Sequence, residues 1–294
     1  MEAMKRILTA VDGSESAQAA VETSVRLARS SGAALEFVYV VNLNGAFGGY
    51  PLPENKSFSS VLEDVLGAGK AVLEHALDQV PEEVETRGHC IDGDPGKTIA
   101  ALAEKEGCDL IVVGSRGLGV LKGALLGSVS RYLVENAKCP VLVIKAGARQ
   151  EEKVMGDFKT ILVPVDGSES SERAIEQAVA LAQVCGAKLK FLYVANINQL
   201  AINACLSDAI LEAVTKAGSV ILDRALEKVP EGVEAESFAE TGSPAVVIME
   251  FAEAEEADLV VMGSRGLGVV KGVLLGSVSQ HLVERAKCPV MVVK

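Results

Sequence analysis

Short apolar runs alternate with longer amphipathic stretches along the whole chain. The runs LIVV at 110–113 and VLVI at 141–144 have the length of strands and are apolar throughout, as in strands buried on both faces. The stretch 15–30 places Ala and Val on one face of a helix. A further helical stretch starts at Pro95, a residue that suits a first helical turn. Strands that alternate with helices predict an α/β fold with right-handed crossovers and a mostly parallel sheet.

This pattern of elements occurs twice along the chain. Residues 5–14 match residues 159–168, and residues 109–145 match residues 258–294 at 28 of 37 positions. A polar and charged segment at 146–157 lies between the two copies and is typical of a linker. An internal repeat of this length indicates one structural unit that is used twice.

We therefore predict two tandem domains, 1–146 and 158–294, each with five strands in an open parallel sheet and helices on both faces. The first copy carries five extra residues within the stretch 45–58. This stretch is either a lid over the first site or a tolerated surface insertion, and the sequence leaves both interpretations open.

Composition and charge narrow the class of protein. The 294 residues are 49% apolar but only 4% aromatic, so Val, Leu, Ile and Ala must fill the cores. The 28 Lys and Arg against 40 Asp and Glu give a net charge of −12, which argues against nucleic-acid binding because such a surface repels a phosphate backbone. The chain start lacks the apolar region of a signal peptide, and no apolar run is long enough for a membrane span. We expect a cytoplasmic protein that binds neither nucleic acid nor membrane.

Two segments follow strands at the edge where open parallel sheets bind their ligands. The first is VDGS at 11–14 and again at 165–168, which places Asp12 and Asp166 after the first strand of each copy. These residues have two interpretations: a helix cap or Asx turn, or a carboxylate that accepts hydrogen bonds from a nucleoside. The two interpretations do not exclude each other.

The second segment is the glycine-rich loop after the fourth strand, at 114–130 and 263–279. Its first two glycines would let the backbone approach a ligand, and its later glycine would open a helix whose N–H groups and dipole attract phosphate. The residues that would add hydroxyl donors and positive charge in the first copy are Ser128, Ser130, Arg116 and Lys122. The alternative is that the glycines only form a tight turn, and no Gly-Lys-Ser/Thr of a Walker A motif is present.

The loop has the spacing G-x2-G-x9-G-S in both copies, and VDGS and a final strand after KCPV accompany it. With these motifs, each copy resembles the ATP-binding branch of the universal stress protein family, and the resemblance covers nearly all of the chain except 45–58 and the linker. It implies the strand order 3-2-1-4-5, which places the two candidate segments side by side. It also implies that the last strands of the two copies pair across a pseudo-two-fold axis as an intramolecular pseudo-dimer. A homodimer of chains stays open as well.

The resemblance also implies which residues form two nucleotide sites. Adenosine would lie against Ala10, Asp12 and Val40 in the first copy and against Pro164, Asp166 and Val194 in the second. The phosphates would lie on Gly114, Gly117, Gly127, Ser128, Val129 and Ser130 beside Arg116, and on Gly263, Gly266, Gly276, Ser277, Val278 and Ser279 beside Arg265. The expected ligand is ATP, or AMP or ADP, with Mg²⁺ or Mn²⁺ as an optional companion ion. Ala10 departs from the proline often found there, which removes some rigidity beside the base.

Three functions stay open at this point. The first is a stress-response or regulatory protein that binds adenine nucleotides and acts through its conformation or through an unknown protein partner. The second is a slow ATPase or phosphotransferase, and the third is an interaction module that binds no nucleotide. Phosphoryl transfer needs a positioned nucleophile and usually a metal held by carboxylates, whereas each copy offers one evident acid. No histidine recurs between the copies, so we expect neither an enzyme nor catalytic or metal-binding residues.

Overall fold

The structure is a computed structural model that describes residues 4–42, 58–118, 125–145, 158–196, 208–268 and 274–294. The chain divides into two compact units, Met4–Ala146 and Gly147–Lys294. The predicted linker lies outside the described residues, and so does the stretch 45–58 except for its last residue, Phe58.

The N-terminal unit alternates five strands with helices. Its elements in chain order are β1 (Arg6–Ala10), α1 (Glu15–Ser31), β2 (Ala34–Val41), α2 (Phe58–Leu77), β3 (Thr86–Asp92), α3 (Pro95–Lys105), β4 (Leu110–Gly114), α4 (Ser128–Asn136) and β5 (Val141–Ile144). The strands pair in parallel in the order β3-β2-β1-β4-β5. The predicted α/β fold and strand order are therefore confirmed for this unit.

The C-terminal unit has the same architecture. Its elements are β6 (Thr160–Pro164), α5 (Glu169–Cys185), β7 (Lys188–Ala195), α6 (Asp208–Glu227), β8 (Ala235–Thr241), α7 (Pro244–Ala254), β9 (Leu259–Gly263), α8 (Ser277–Arg285) and β10 (Val290–Val293). Its strands are also parallel, in the order β8-β7-β6-β9-β10. The predicted tandem arrangement of two five-stranded sheets is thus confirmed.

The aliphatic strands form the centre of each core. Every residue of β4 and β5 is buried, and so is every residue of β9 and β10, which explains why these runs contain no alternating polar positions. The edge strands β3 and β8 instead consist only of exposed and half-buried residues. The central position of β1, between β2 and β4, puts the carboxyl ends of β1 and β4 next to each other at the centre of the sheet. This is the edge where open parallel sheets form a ligand crevice.

Candidate functional site

The turn after β1 is an Asx turn that starts helix α1. The Ser14 N–H donates to Asp12 Oδ1 at 2.9 Å, and the Ser14 hydroxyl caps the helix by accepting from the Ala17 N–H at 3.3 Å. The C-terminal unit repeats both bonds, at 3.0 Å between Ser168 N and Asp166 Oδ1 and at 3.3 Å for the cap. The Asx-turn interpretation of the two aspartates is therefore correct, whereas the helix caps are Ser14 and Ser168 rather than the aspartates.

The second oxygen of each aspartate reaches the glycine-rich loop. Asp12 Oδ2 accepts the Leu118 N–H at 3.3 Å, and Asp166 Oδ2 accepts the Leu267 N–H at 3.1 Å. Each carboxylate thus joins the β1 or β6 turn to the loop that follows β4 or β9. Because carboxylate oxygens have spare lone pairs, both aspartates keep acceptor sites for a further donor.

Ser14 of the turn and Ser16 of helix α1 fasten the same loop. The buried Ser16 hydroxyl donates to the Arg116 carbonyl and accepts the Arg116 N–H at 3.3 Å. The Ser14 hydroxyl also donates to the Arg116 carbonyl, at 3.2 Å. Ser170 makes the equivalent bond to the Arg265 carbonyl in the C-terminal unit. The sequence reasoning missed these serines, although the hexapeptide VDGSES is identical at 11–16 and 165–170 and could have revealed them.

The first glycine of each loop occupies a place where a side chain would not fit, and the second faces the carboxylate of the aspartate. A methyl group on Gly114 would lie 2.7 Å from the carbonyl carbon of Ser16, because the end of β4 lies directly against the first turn of α1. A methyl group on Gly117 would collide with Asp12 Oδ2. The same two collisions, with Ser170 and Asp166, occur at the first two glycines of the C-terminal loop, Gly263 and Gly266. The tight-turn interpretation therefore accounts for Gly114 and Gly263 without any ligand.

The later part of the loop opens helix α4. Gly127 is the N-cap and provides no side-chain bond to the first helical turn, and Gly276 does the same for α8. The N–H groups of that turn belong to Ser128, Val129 and Ser130, and to Ser277, Val278 and Ser279 in the C-terminal unit. A helix start without a side-chain cap presents donors to an anion. This end of α4 is the part of the loop that best fits the expected phosphate contacts.

The hydroxyl groups at the helix start have different roles. Ser130 is 2% exposed, and its hydroxyl donates to the Gly114 carbonyl at 2.7 Å. Ser279 donates to the Gly263 carbonyl at 2.9 Å. These two hydroxyls hold the end of the strand, so any ligand contact at these positions involves the backbone N–H. Ser128 is exposed, and its hydroxyl does not hold the end of the strand in this way.

The nucleoside half of the expected site lies at the ends of β1 and β2. Ala10 pairs with Val38 in the two strands, and the Val11 N–H donates to the Val38 carbonyl at 2.9 Å. Val40 and its counterpart Val194 are half-buried, as is Pro164 at the end of β6. Tyr39 covers Gly69 of α2, and burial followed by the charge of Asp12 raises the pKa of the Tyr39 phenol. The structure therefore brings the expected nucleoside residues to one edge of each sheet.

The structure describes only two of the three expected positively charged side chains. Arg116 and Arg265 are exposed, and their backbone groups rather than their guanidinium groups hold the loop in place. Lys122 lies outside the described residues. Within the described ranges, no three His, Cys, Asp or Glu side chains are grouped so as to hold a metal ion.

Among the helices that the structure describes, none has the length and hydropathy of a membrane span.

One histidine has a partner in the core rather than at the site. Glu36 of β2 is buried and contacts His89 Nε2 at 2.6 Å and the Arg6 guanidinium. Lys190 occupies the equivalent position in the C-terminal unit, where it pairs with Glu255 and lies 5.5 Å from the ring of Phe238. The charge at this position, which is buried in the N-terminal unit and half-buried in the C-terminal unit, is thus reversed, whereas the turn is the same in both.

The fold and the geometry of the turn and loop define a chain of two tandem α/β domains, each with a glycine-rich loop tied to an aspartate. The sequence pattern of the universal stress protein family matches residues 4–145 and 157–294. A universal stress protein of Mycolicibacterium smegmatis is 30% identical over 98% of this chain and 96% of its own length. One from Thermus aquaticus is 38% identical and matches 47% of this chain over 99% of its own length. The crystal structure of a universal stress protein from Archaeoglobus fulgidus superimposes with a TM-score of 0.71 at 24% identity over 98% of both chains.

The chain belongs to the universal stress protein family, and it contains two copies of the family's domain in tandem.

Proposed function

We propose that each unit binds one adenine nucleotide and that the chain is a regulatory protein rather than an enzyme. The observation that carries the proposal is the carboxylate bridge: Asp12 and Asp166 each join the turn after the first strand to the glycine-rich loop. The bridge brings an acceptor for nucleoside hydroxyl groups and donors for phosphate into one crevice.

The two ends of the nucleotide would meet different chemistry in this crevice. The nucleoside would lie at the ends of β1 and β2 against the half-buried Val40 and Asp12, and Asp12 would offer its remaining lone pairs to a ribose hydroxyl. The phosphates would lie at the start of α4, where Gly127 leaves the first N–H groups without a side-chain cap. ATP, ADP and AMP contain the same nucleoside, so differences among their affinities would come from the number of phosphates that contact the helix start.

The bonds of the aspartate favour binding over turnover. Both oxygens of Asp12 and of Asp166 already accept backbone N–H groups, so each carboxylate is committed to holding the loop and the nucleoside. Phosphoryl transfer would instead require a group that orients a water or hydroxyl in line with the γ-phosphate.

Mg²⁺ or Mn²⁺, where present, would accompany the nucleotide through the phosphate oxygens. The proposed output is a change in loop conformation that a protein partner detects.

The first test is whether the protein retains and binds adenine nucleotides. We expect chromatography of the supernatant from denatured, freshly purified protein to show ATP, ADP or AMP. We also expect added ATP to raise Tm, because a ligand at 100 times its Kd stabilises the native state by about 2.7 kcal/mol, and GTP to do so less. A protein with no adenine nucleotide and no thermal shift would contradict the proposal and favour the interaction module.

A second measurement separates the regulator from the slow enzyme. Labelled ATP incubated for hours with the protein and Mg²⁺ or Mn²⁺ should remain intact. Release of labelled phosphate that tracks the protein through purification, and that Asp12→Asn with Asp166→Asn abolishes, would instead support the ATPase.

A further inference from the structure

We propose that Ser16 and Ser170 are positioning residues that set the phosphate half of each site. This inference rests on the proposed nucleotide binding. The two serines are the second residues of helices α1 and α5, and neither belongs to the glycine motif or to the aspartate turn itself.

The geometry of the serine contact is that of a backbone clamp. Ser16 is 2% exposed, and its hydroxyl is used twice, as a donor to the Arg116 carbonyl and as an acceptor from the Arg116 N–H. Ser170 is 6% exposed and donates to the Arg265 carbonyl. A buried hydroxyl that holds both polar groups of one peptide position fixes the backbone there in a single orientation.

The clamp is connected to the start of α4 by one further bond. Arg116 follows Ser115, whose carbonyl accepts the Gly127 N–H at 2.7 Å. In the C-terminal unit, the Ser264 carbonyl accepts the Gly276 N–H at 2.8 Å. The two glycines are the N-caps of α4 and α8. A displacement of the clamped residue is therefore passed to the helix start that would hold the phosphates.

Helix capping does not explain these serines. Ser14 and Ser168 already provide the caps of α1 and α5, with 3.3 Å bonds to the N–H groups three residues on. The hydroxyls of Ser16 and Ser170 point instead to the loop. Removing the Ser16 hydroxyl would leave the Arg116 N–H without this partner and the Arg116 carbonyl with the 3.2 Å bond from Ser14 alone, which favours a different loop conformation.

The proposal assigns the two serines to the phosphate end of the ligand and not to its nucleoside end, so the test compares ATP with adenosine. In Ser16→Ala/Ser170→Ala, we expect ATP affinity to fall about tenfold at both sites, in keeping with one or two lost hydrogen bonds, and adenosine affinity to change less than twofold. Competition titrations with a fluorescent adenine nucleotide measure both values. Ser24→Ala is the matched control, because Ser24 is a buried serine of α1 whose hydroxyl bonds Thr9 and Ala20 rather than the loop.

Two outcomes would overturn the proposal: an unchanged ATP affinity, or an equal loss of ATP and adenosine affinity, which marks general disruption. Should the alanine variant fold poorly, Ser16→Cys/Ser170→Cys keeps the side-chain volume with a weak donor and should show the same selective loss. Wild-type protein that binds neither ligand would instead refute the proposed function itself. Backbone hydrogen exchange over 114–118 should rise in the serine variants and not in Ser24→Ala.

Discussion

The glycines of the loop motif differ in what surrounds them. The first two face the turn that follows the first strand. At the third, Gly127, the atom nearest to an added methyl group would lie 3.4 Å away. The first two glycines therefore serve the folded loop, whereas a methyl group at Gly127 would make only ordinary contacts with the backbone of residues 115–117. A glycine motif of this kind is partly a packing requirement, even where it also serves a ligand.

The C-terminal loop offers a matched pair of glycines that tests this distinction. In Gly266→Ala, the new methyl group would push the Asp166 carboxylate away from the Leu267 N–H. We expect ATP affinity of that unit to fall about tenfold, as for the loss of a charge-assisted bond, measured by calorimetric titration. Gly268→Ala, two residues on, adds its methyl group to open space and should leave the affinity unchanged. Equal effects of the two substitutions would show that Asp166 does not act through this contact.

The sequence predicted Asp12 and Asp166 as site residues with two open interpretations, and the structure establishes the Asx turn. The contact with a nucleoside stays a prediction. The bridge to Leu118 was not predictable, because it joins residues 106 positions apart and depends on the placement of a backbone N–H. The serine clamp is also a long-range contact, and a repeated hexapeptide was its only local sign.

At the scale of the element, the third helix of each unit begins in the same way but is capped differently. Both helices start with proline, after Asp94 in α3 and after Ser243 in α7. Asp94 accepts the Lys97 N–H at 3.1 Å, whereas Ser243 makes no side-chain cap bond. The two positions thus allow a direct comparison between a helix start with a side-chain cap bond and one without it.

This difference predicts unequal costs of the same substitution. Asp94→Ala should lower the free energy of unfolding by about 1 kcal/mol, because it removes the bond that caps α3. Ser243→Ala should cost only a few tenths of that amount, since no bond is lost. Urea denaturation followed by circular dichroism measures both values, and a larger cost at Ser243 would contradict the cap assignment.

The elements themselves were largely predictable, because apolar runs and helical periodicity persist over many residues. Their ends were less so: the sequence predicts a second helix from about Phe58 to Gln79, which ends at Leu77, and a third strand over 84–91, which spans Thr86–Asp92. The register with β2 decides where β3 ends, and a single strand does not reveal it. The order of the strands followed from the family resemblance and is confirmed by the pairings.

At the scale of the whole molecule, the two units keep one feature in common and differ in another. The turn VDGSES and its contacts to the loop recur in both units, whereas the charged side chain at one position of the second strand is Glu36 in β2 and Lys190 in β7. Each charge is paired within its own unit, because an unpaired buried charge is costly. The shared feature is therefore the candidate nucleotide site, and this indicates that each unit has its own.

The central claim, one adenine nucleotide in each unit, is tested most directly by counting nucleotides bound to intact chains with native mass spectrometry. The account predicts two ATP molecules per wild-type chain at saturation. It predicts one for Gly117→Val and one for Gly276→Val, because each bulky side chain blocks the loop of its own unit. A wild-type chain that binds fewer than two, or a single substitution that removes both, would contradict the account.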